Sequence, residues 1–324
     1  IKRVKFMKKT INTDRSTAFY INGGVGRAVC AIPALEKYLE NNPDDDFVIF
    51  SEWAYEAFSG HPTLHARSYP ANLTHLFRDT LKDRNIVAPE PYYVWEYYNQ
   101  KCNIAQAFDI EINGKLDTNL PRASIHLSND ELYTAANMAK DMRDKHKKPL
   151  VIFQPFGKGI TLNAIETQSG PIDSTGRSFT IELAAKLIKQ IEHKCSVLLM
   201  NEYNVDFSAY GCKQETFFIE NTNLRKWFGM INASDAFIGC DSIGQHVAHS
   251  FNKSTYLVLG STFAENVSYP TSQQFNIFDF NKGNKEYSPI RITVDECADR
   301  KNESAMRLTD DQIKQIADKI LSGL

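Results

Sequence analysis

Four residues, Gly23-Gly24-Val25-Gly26, stand between a short apolar run and a helical pattern, and this junction constrains the fold most. Residues 18–22 read as a strand. Residues 27–39 follow with Val29, Ile32, Leu35 and Leu39 spaced near 3.6, so they read as a helix despite Pro33 inside it. Asn41-Asn42-Pro43 stops that helix, and residues 47–50 form a short apolar strand. Strand, glycine turn, helix and strand make a βαβ unit. Its parallel strands need helices over the sheet, which points to an α/β protein.

The alternation returns in the second half. Residues 150–153, 196–200, 217–220, 236–239 and 255–259 read as strands. Helices are expected over 178–192 (Leu183, Leu187 and Ile191 on one face), 223–232 (Leu224, Trp227, Phe228 and Ile231 inward) and 244–251. A last helix over 310–321 is capped by Thr309. Residues 4–7 form a further short strand. The stretch 52–148 is rich in aromatic residues and shows little periodicity until a helix over 129–147, capped by Ser128 or Asn129. The basic run 145–148 before Pro149 reads as a helix end and a linker. The expected division is an N-terminal domain over 1–148 and a C-terminal domain over 149–308. A closing helix over 309–324 would pack back on the first domain. Two doubly wound Rossmann-like domains facing a cleft follow from this pattern.

Composition removes several classes. The chain has 324 residues, enough for about two domains. Its net charge of -2 argues against attachment to nucleic acid by bulk charge, although a local basic groove stays open. No apolar run approaches the roughly 20 residues that span a bilayer, and residues 1–9 do not form a signal peptide. The six cysteines show no C-x-x-C spacing, so reduced thiols in a cytoplasmic protein are expected, with no metal site.

In doubly wound sheets ligands sit beyond the carboxyl ends of strands, which singles out two loops. Gly23, Gly24 and Gly26 permit close backbone approach at a helix N-terminus, where an anion is favoured. They match neither a dinucleotide fingerprint nor a P-loop, although Glu52 stands near the place of a ribose-binding acid. A turn serving packing alone stays open. The second loop is 240–249, directly after a strand. Asp241, Ser242 and Gly244 suit a strand-to-helix turn whose hydroxyl and N–H groups would face a phosphate, with His246 in the first helical turn. His249 reads as structural. A serine hydrolase is disfavoured by the lack of a G-x-S-x-G elbow.

Residues 224–270 resemble the donor-binding half of the heptosyltransferase-like glycosyltransferases, family 9. The resemblance rests on Asn223-Leu224-Arg225, residues 231–235, Ile238, residues 241–248 and Gly260-Ser261-Thr262. The first loop is similar too: Gly23-Gly24-Val25-Gly26-Arg27, then Ile32-Pro33-Ala34-Leu35. The resemblance covers most of 15–321 and is poor over 52–148. It implies GT-B architecture, with the acceptor mostly on the first domain and a nucleotide-sugar donor mostly on the second. It also implies inversion at the anomeric carbon without a metal or a resident cofactor. By it, Lys158 and Arg177 would contact the leaving diphosphate and Glu202 the ribose or base. Asp241 would orient Arg177 or bind the sugar, and His246 would donate to phosphate or sugar.

One position departs from that pattern. Where the family carries an aspartate as base, this chain has Arg27. Either a base comes from elsewhere (Glu52, Asp109 or Glu96), or Arg27 binds an anion, or transfer is lost. The acceptor stays open between a surface glycan and a hydroxylated nucleic-acid base, the latter suggested by Arg27 and the aromatic stretch 92–98. A nucleotide-sugar binding protein without transfer is the reading from another class. An NAD-dependent oxidoreductase comes third.

Overall fold

In a computed structural model, the described residues are 15–157, 175–202, 204–220, 223–283 and 306–324. The expected strand at 4–7 lies outside them. The first half carries β1 (Thr17–Tyr20), α1 (Val25–Asn41), β2 (Val48–Ser51), β3 (Ser68–Pro70), β4 (Asn85–Val87), α2 (Trp95–Tyr98), α3 (Ile104–Asn113) and α4 (Asn129–His146). The second carries β5 (Leu150–Gln154), α5 (Ile181–Ile191), β6 (Ser196–Leu199), α6 (Leu224–Ala233), β7 (Ala236–Gly239), α7 (Ile243–Ser250), β8 (Thr255–Val258), α8 (Ala264–Val267), β9 (Phe275–Phe278) and α9 (Asp310–Gly323).

The strands form two separate parallel sheets, ordered β3-β2-β1-β4 and β6-β5-β7-β8-β9. Strand order reverses between β1 and β4 in the first and between β5 and β7 in the second. These are the two switch points where doubly wound sheets open a crevice.

Side-chain alternation divides the second sheet between two cores. Leu150 and Ile152 of β5 face a core shared with the first half, while Val151 and Phe153 face α5 and α9. The shared core runs from Phe19 and Ile49 through α1 to Phe237 and Val247. Residues Arg27 to Leu35 of α1 are all buried, because α1 lies between α3 and α7. This enclosure accommodates Pro33 within a continuous helix.

Several expectations are corrected. The helix α9 does not return to the first half: Ile313, Ile316 and Ile320 pack with α5 in the second-half core. The helix α4, placed before the expected boundary at 148, packs on α6. Arg225 joins the two by donating to both oxygens of Glu131, each at 2.8 Å, and holds that carboxyl down at about 2. The basic run after α4 is therefore a helix end tied to the second half, with Lys145 on Glu215 at 2.7 Å. Residues 217–220 form only a bridge, from Phe217 to Leu198. The helix α3 has a full signature, an Asn103–Gln106 capping box and left-handed Gly114 at its end, which the aromatic background obscured.

Candidate functional site

At the second-half switch point, Gln154 ends β5 and Asp241 follows β7. The Gln154 carboxamide spans the gap. Its Nε2 donates to Ser242 Oγ at 3.1 Å, and its Oε1 accepts the Gly244 N–H at 2.9 Å. The expectation that Gly244 offers its N–H to a phosphate is therefore corrected: a neutral side chain satisfies it. Gly244 is required by contact, since a Cβ there would run into the Phe237 ring and Gln154 Oε1.

Around this point four of the expected donor-side residues, Arg177, Asp241, Ser242 and Gly244, come together. Arg177 Nη1 stands 3.7 Å from Asp241 Oδ2, with the side chains only 17% and 9% exposed. Arg177 Nε donates to Thr175 Oγ1 at 2.9 Å, and Gln245 Nε2 donates to the other Asp241 oxygen at 3.1 Å. The Gly157 N–H donates to Ser178 Oγ at 2.9 Å. A Cβ on Gly157 would touch the Asp241 carbonyl at 3.6 Å and Ser242 Oγ at 4.0 Å, so the loops after β5 and β7 meet here. Glu202 stands exposed beyond β6, and Lys158 lies outside the described residues. Gln154 was not anticipated; a polar residue closing an otherwise apolar strand was its sequence signal.

At the first-half switch point, Gly23 turns the chain with φ +80°, a left-handed conformation. A Cβ there would meet Arg27 Cδ at 2.8 Å. Gly24 precedes α1 as its N-cap. Arg27 does not extend into solvent. Its guanidinium donates to the Glu90 carboxylate from Nη1 (3.0 and 3.2 Å) and Nη2 (3.2 Å), and to the Pro89 carbonyl at 3.3 Å. It also lies over the Tyr92 and Phe108 rings, 5.0 and 5.6 Å from their centroids. Arg27 thus holds the loop after β4 against the turn after β1.

The proposed sources of a base fare differently. Asp109 is fully buried, accepting from Lys37 at 2.8 Å and Asn113 at 2.8 Å, and is structural. Glu52 accepts from the Tyr20 hydroxyl at 2.8 Å, and Glu96 lies on α2. Glu90 was missed because the apolar residues of β4, Ile86 and Val87, are too few to read as a strand, so no strand end pointed to it.

His246 joins the halves. Its Nδ1 and the Tyr269 hydroxyl share a hydrogen bond at 2.9 Å, and its Cδ2 lies 3.4 Å from where a Cβ on Gly26 would stand. Gly26 therefore allows α1 and α7 to approach. Burial, partly opposed by Asp241, pushes the imidazole down to about 4, so it is neutral near pH 7. His249 stacks on Tyr269 at 3.5 Å between centroids and lines the cavity between the halves. A cavity of about 690 Å³ lies between the halves, lined by Cys30, Pro33, Gln106, Arg122 and Tyr269, and does not include Arg177 or Asp241. The five described cysteines are buried thiols. No described helix is long and apolar enough to cross a membrane.

No protein-family model matches the chain, and no curated protein is similar to it in sequence. Solved structures are similar in fold. A family 9 glycosyl transferase from Veillonella parvula DSM 2008 superposes with TM-score 0.64 at 10% identity, covering 96% of this chain and 98% of that one. ADP-heptose LPS heptosyltransferase II of E. coli gives 0.56 at 13% identity, covering 94% and 99%. The iron-containing dodecameric glycosyltransferase TibC of enterotoxigenic E. coli H10407 gives 0.59 at 11% identity, covering 96% and 77%, and TibC is also solved with ADP-D-β-D-heptose. The chain has the GT-B architecture of these structures: two Rossmann-like sheets facing one another.

Proposed function

We propose that this chain is a glycosyltransferase that moves a sugar from a nucleoside diphosphate sugar to an acceptor hydroxyl. The observation that carries the reading is the convergence of Arg177, Asp241, Ser242 and Ser178 at the second-half switch point. Cleavage of the sugar–phosphate bond leaves negative charge on the diphosphate. Arg177 meets it with a planar fork held in place by Asp241, and the hydroxyls of Ser242 and Ser178 add donors. The absence of a side chain at Gly157 lets the backbone approach the phosphates. His246, as a neutral ring between Gly26 and Tyr269, sets the spacing of the two halves.

On the acceptor side, Glu90 takes the place of a carboxylate from the first helical turn. Arg27 positions it, and the carboxylate accepts the proton of the acceptor hydroxyl as that oxygen attacks the anomeric carbon opposite the leaving diphosphate. One displacement of this kind inverts the centre. The second reading is donor binding without transfer, favoured by the same contact: Arg27 already occupies both Glu90 oxygens.

Thermal-shift titration with ADP-, UDP- and GDP-sugars tests the reading. At 100 times Kd the bound donor stabilises by about 2.7 kcal/mol. Arg177→Ala and Asp241→Asn, each verified as folded by circular dichroism, are expected to lose that shift. No stabilisation by any of these donors at millimolar concentration defeats the proposal.

A further inference from the structure

The cavity of about 690 Å³ between the halves stands apart from the Arg177–Asp241 pair, and neither of those residues lines it. Protein interiors are packed closely, and a hollow of this size between two packed halves is in the range that holds a small molecule. Its walls come from both halves. Cys30 of α1, Ala105 of α3 and Ala123 are buried and form an apolar floor. Tyr269 and His249, stacked face to face, form one side. Lys101, Arg122 and Asn252 are exposed and stand at the mouth. Arg122 donates to Asn252 Oδ1, which joins the halves across that mouth.

Charge identifies the head group of an occupant. Neither Lys101 nor Arg122 has a carboxylate partner among the described residues. The Arg122 charge reaches His249: after burial and His246, it helps push that imidazole down to about 3, so the ring is neutral. The carboxylates nearby are either matched or outside the cavity. Glu265, in the lining, accepts from Lys282 at 2.8 Å, and Asp117, next to the lining residue Thr118, accepts from Lys37 at 2.9 Å. Glu96, whose charge helps raise the Cys102 thiol, does not line the cavity. No group of residues able to hold a metal ion occurs among the described residues. An anionic group at the mouth meets both cations, and the planar fork of Arg122 suits a phosphate or a carboxylate. An apolar body below it covers floor that otherwise faces water.

We infer that this cavity binds a small organic anion, a phosphate or carboxylate head on an apolar body, at a site separate from the one that Arg177 and Asp241 form. The head lies between Lys101 and Arg122, and the body rests on Cys30, Ala105 and Ala123 beside the Tyr269 ring. The Tyr269 hydroxyl also bonds His246, which packs at Gly26, so the occupant ties together the same two helices, α1 and α7. Nothing in this site requires that the chain transfer a sugar.

Calorimetric titration of the full chain at fixed ionic strength uses phenyl phosphate, benzoate, the neutral benzyl alcohol and inorganic phosphate. Phenyl phosphate or benzoate is expected to bind saturably at millimolar concentration, the better of the two showing which head the cations prefer. Benzyl alcohol and inorganic phosphate are expected to bind at least about tenfold more weakly, since each lacks one component. Arg122→Gln is expected to weaken the aryl anion by about tenfold and Lys101→Gln by about threefold. Ala105→Phe fills the floor and is expected to abolish binding, while Arg177→Ala keeps it. Circular dichroism and urea midpoints establish each variant as folded, and Ala123→Leu replaces Ala105→Phe if the latter does not fold. No saturable binding of either aryl anion overturns the inference. Binding that Arg177→Ala removes and Arg122→Gln leaves intact also overturns it, because the anion then sits at the other site. Inorganic phosphate binding as tightly as phenyl phosphate means an adventitious ion only, and benzyl alcohol binding as tightly as benzoate removes the anionic head; either result overturns the inference.

Discussion

Arg27 and Glu90 form a forked ion pair across the first-half switch point, with Nη1–Oε1 at 3.0 Å and side chains 10% and 26% exposed. The pair joins the first turn of α1 to the loop after β4, and Arg27 Nε is buried without a partner. An arginine at this position is thus explained as the holder of a carboxylate that comes from elsewhere in the chain.

Removing one partner leaves the other charge partly desolvated. Glu90→Gln is expected to destabilise the protein by about 2 kcal/mol, below the fully buried range because Glu90 retains solvent contact. The double variant Arg27→Met/Glu90→Gln is expected to lose less than the sum of the singles, with a coupling of about 1–2 kcal/mol in urea unfolding. Additive losses would show that the pair contributes nothing.

His246 makes stability fall in acid. Its folded value, about 4, lies below the ordinary 6.5, so the unfolded chain binds more protons between these pH values. Stability is present above about pH 6.5 and is lost as pH falls toward 4, by up to on the order of 3 kcal/mol from this group. His249, pushed down to about 3 first by burial and then by His246 and Arg122, acts in the same direction. Urea midpoints measured from pH 7.5 to 4.5 should show a shallower decline in His246→Gln than in the parent. Parallel curves would remove His246 as a cause.

The three glycines of the first turn are not equivalent. Gly23→Ala forces a side chain into a left-handed backbone and against Arg27, and an unfolding loss of at least about 2 kcal/mol is expected. Gly24 has nothing within 4 Å of an added Cβ, so Gly24→Ala should change stability by less than about 1 kcal/mol. Equal losses from the two would contradict the geometry of the turn.

Much of the architecture is written locally. The apolar runs 150–153 and 236–239, the caps Ser128, Asn223 and Thr309, and the spacing in 181–191 follow from short-range periodicity and hydrogen bonding, and the structure shows each of them. The glycine turn and the Asp241–Ser242–Gly244 turn were legible for the same reason, since each is one strand-to-helix junction. Strands β3 and β4 were not legible. They are three residues long, with no apolar run of strand length, and pairing to β2 and β1 makes them strands. What these junctions contact depends on residues far apart in sequence. Only the tertiary structure set Arg27 on Glu90, Gln154 on the Gly244 N–H, and His246 against Gly26, across separations of 63, 90 and 220 residues. Periodicity carries no information about such pairs, because they form only when strand order within each sheet, and the packing of one half on the other, bring distant chain segments together.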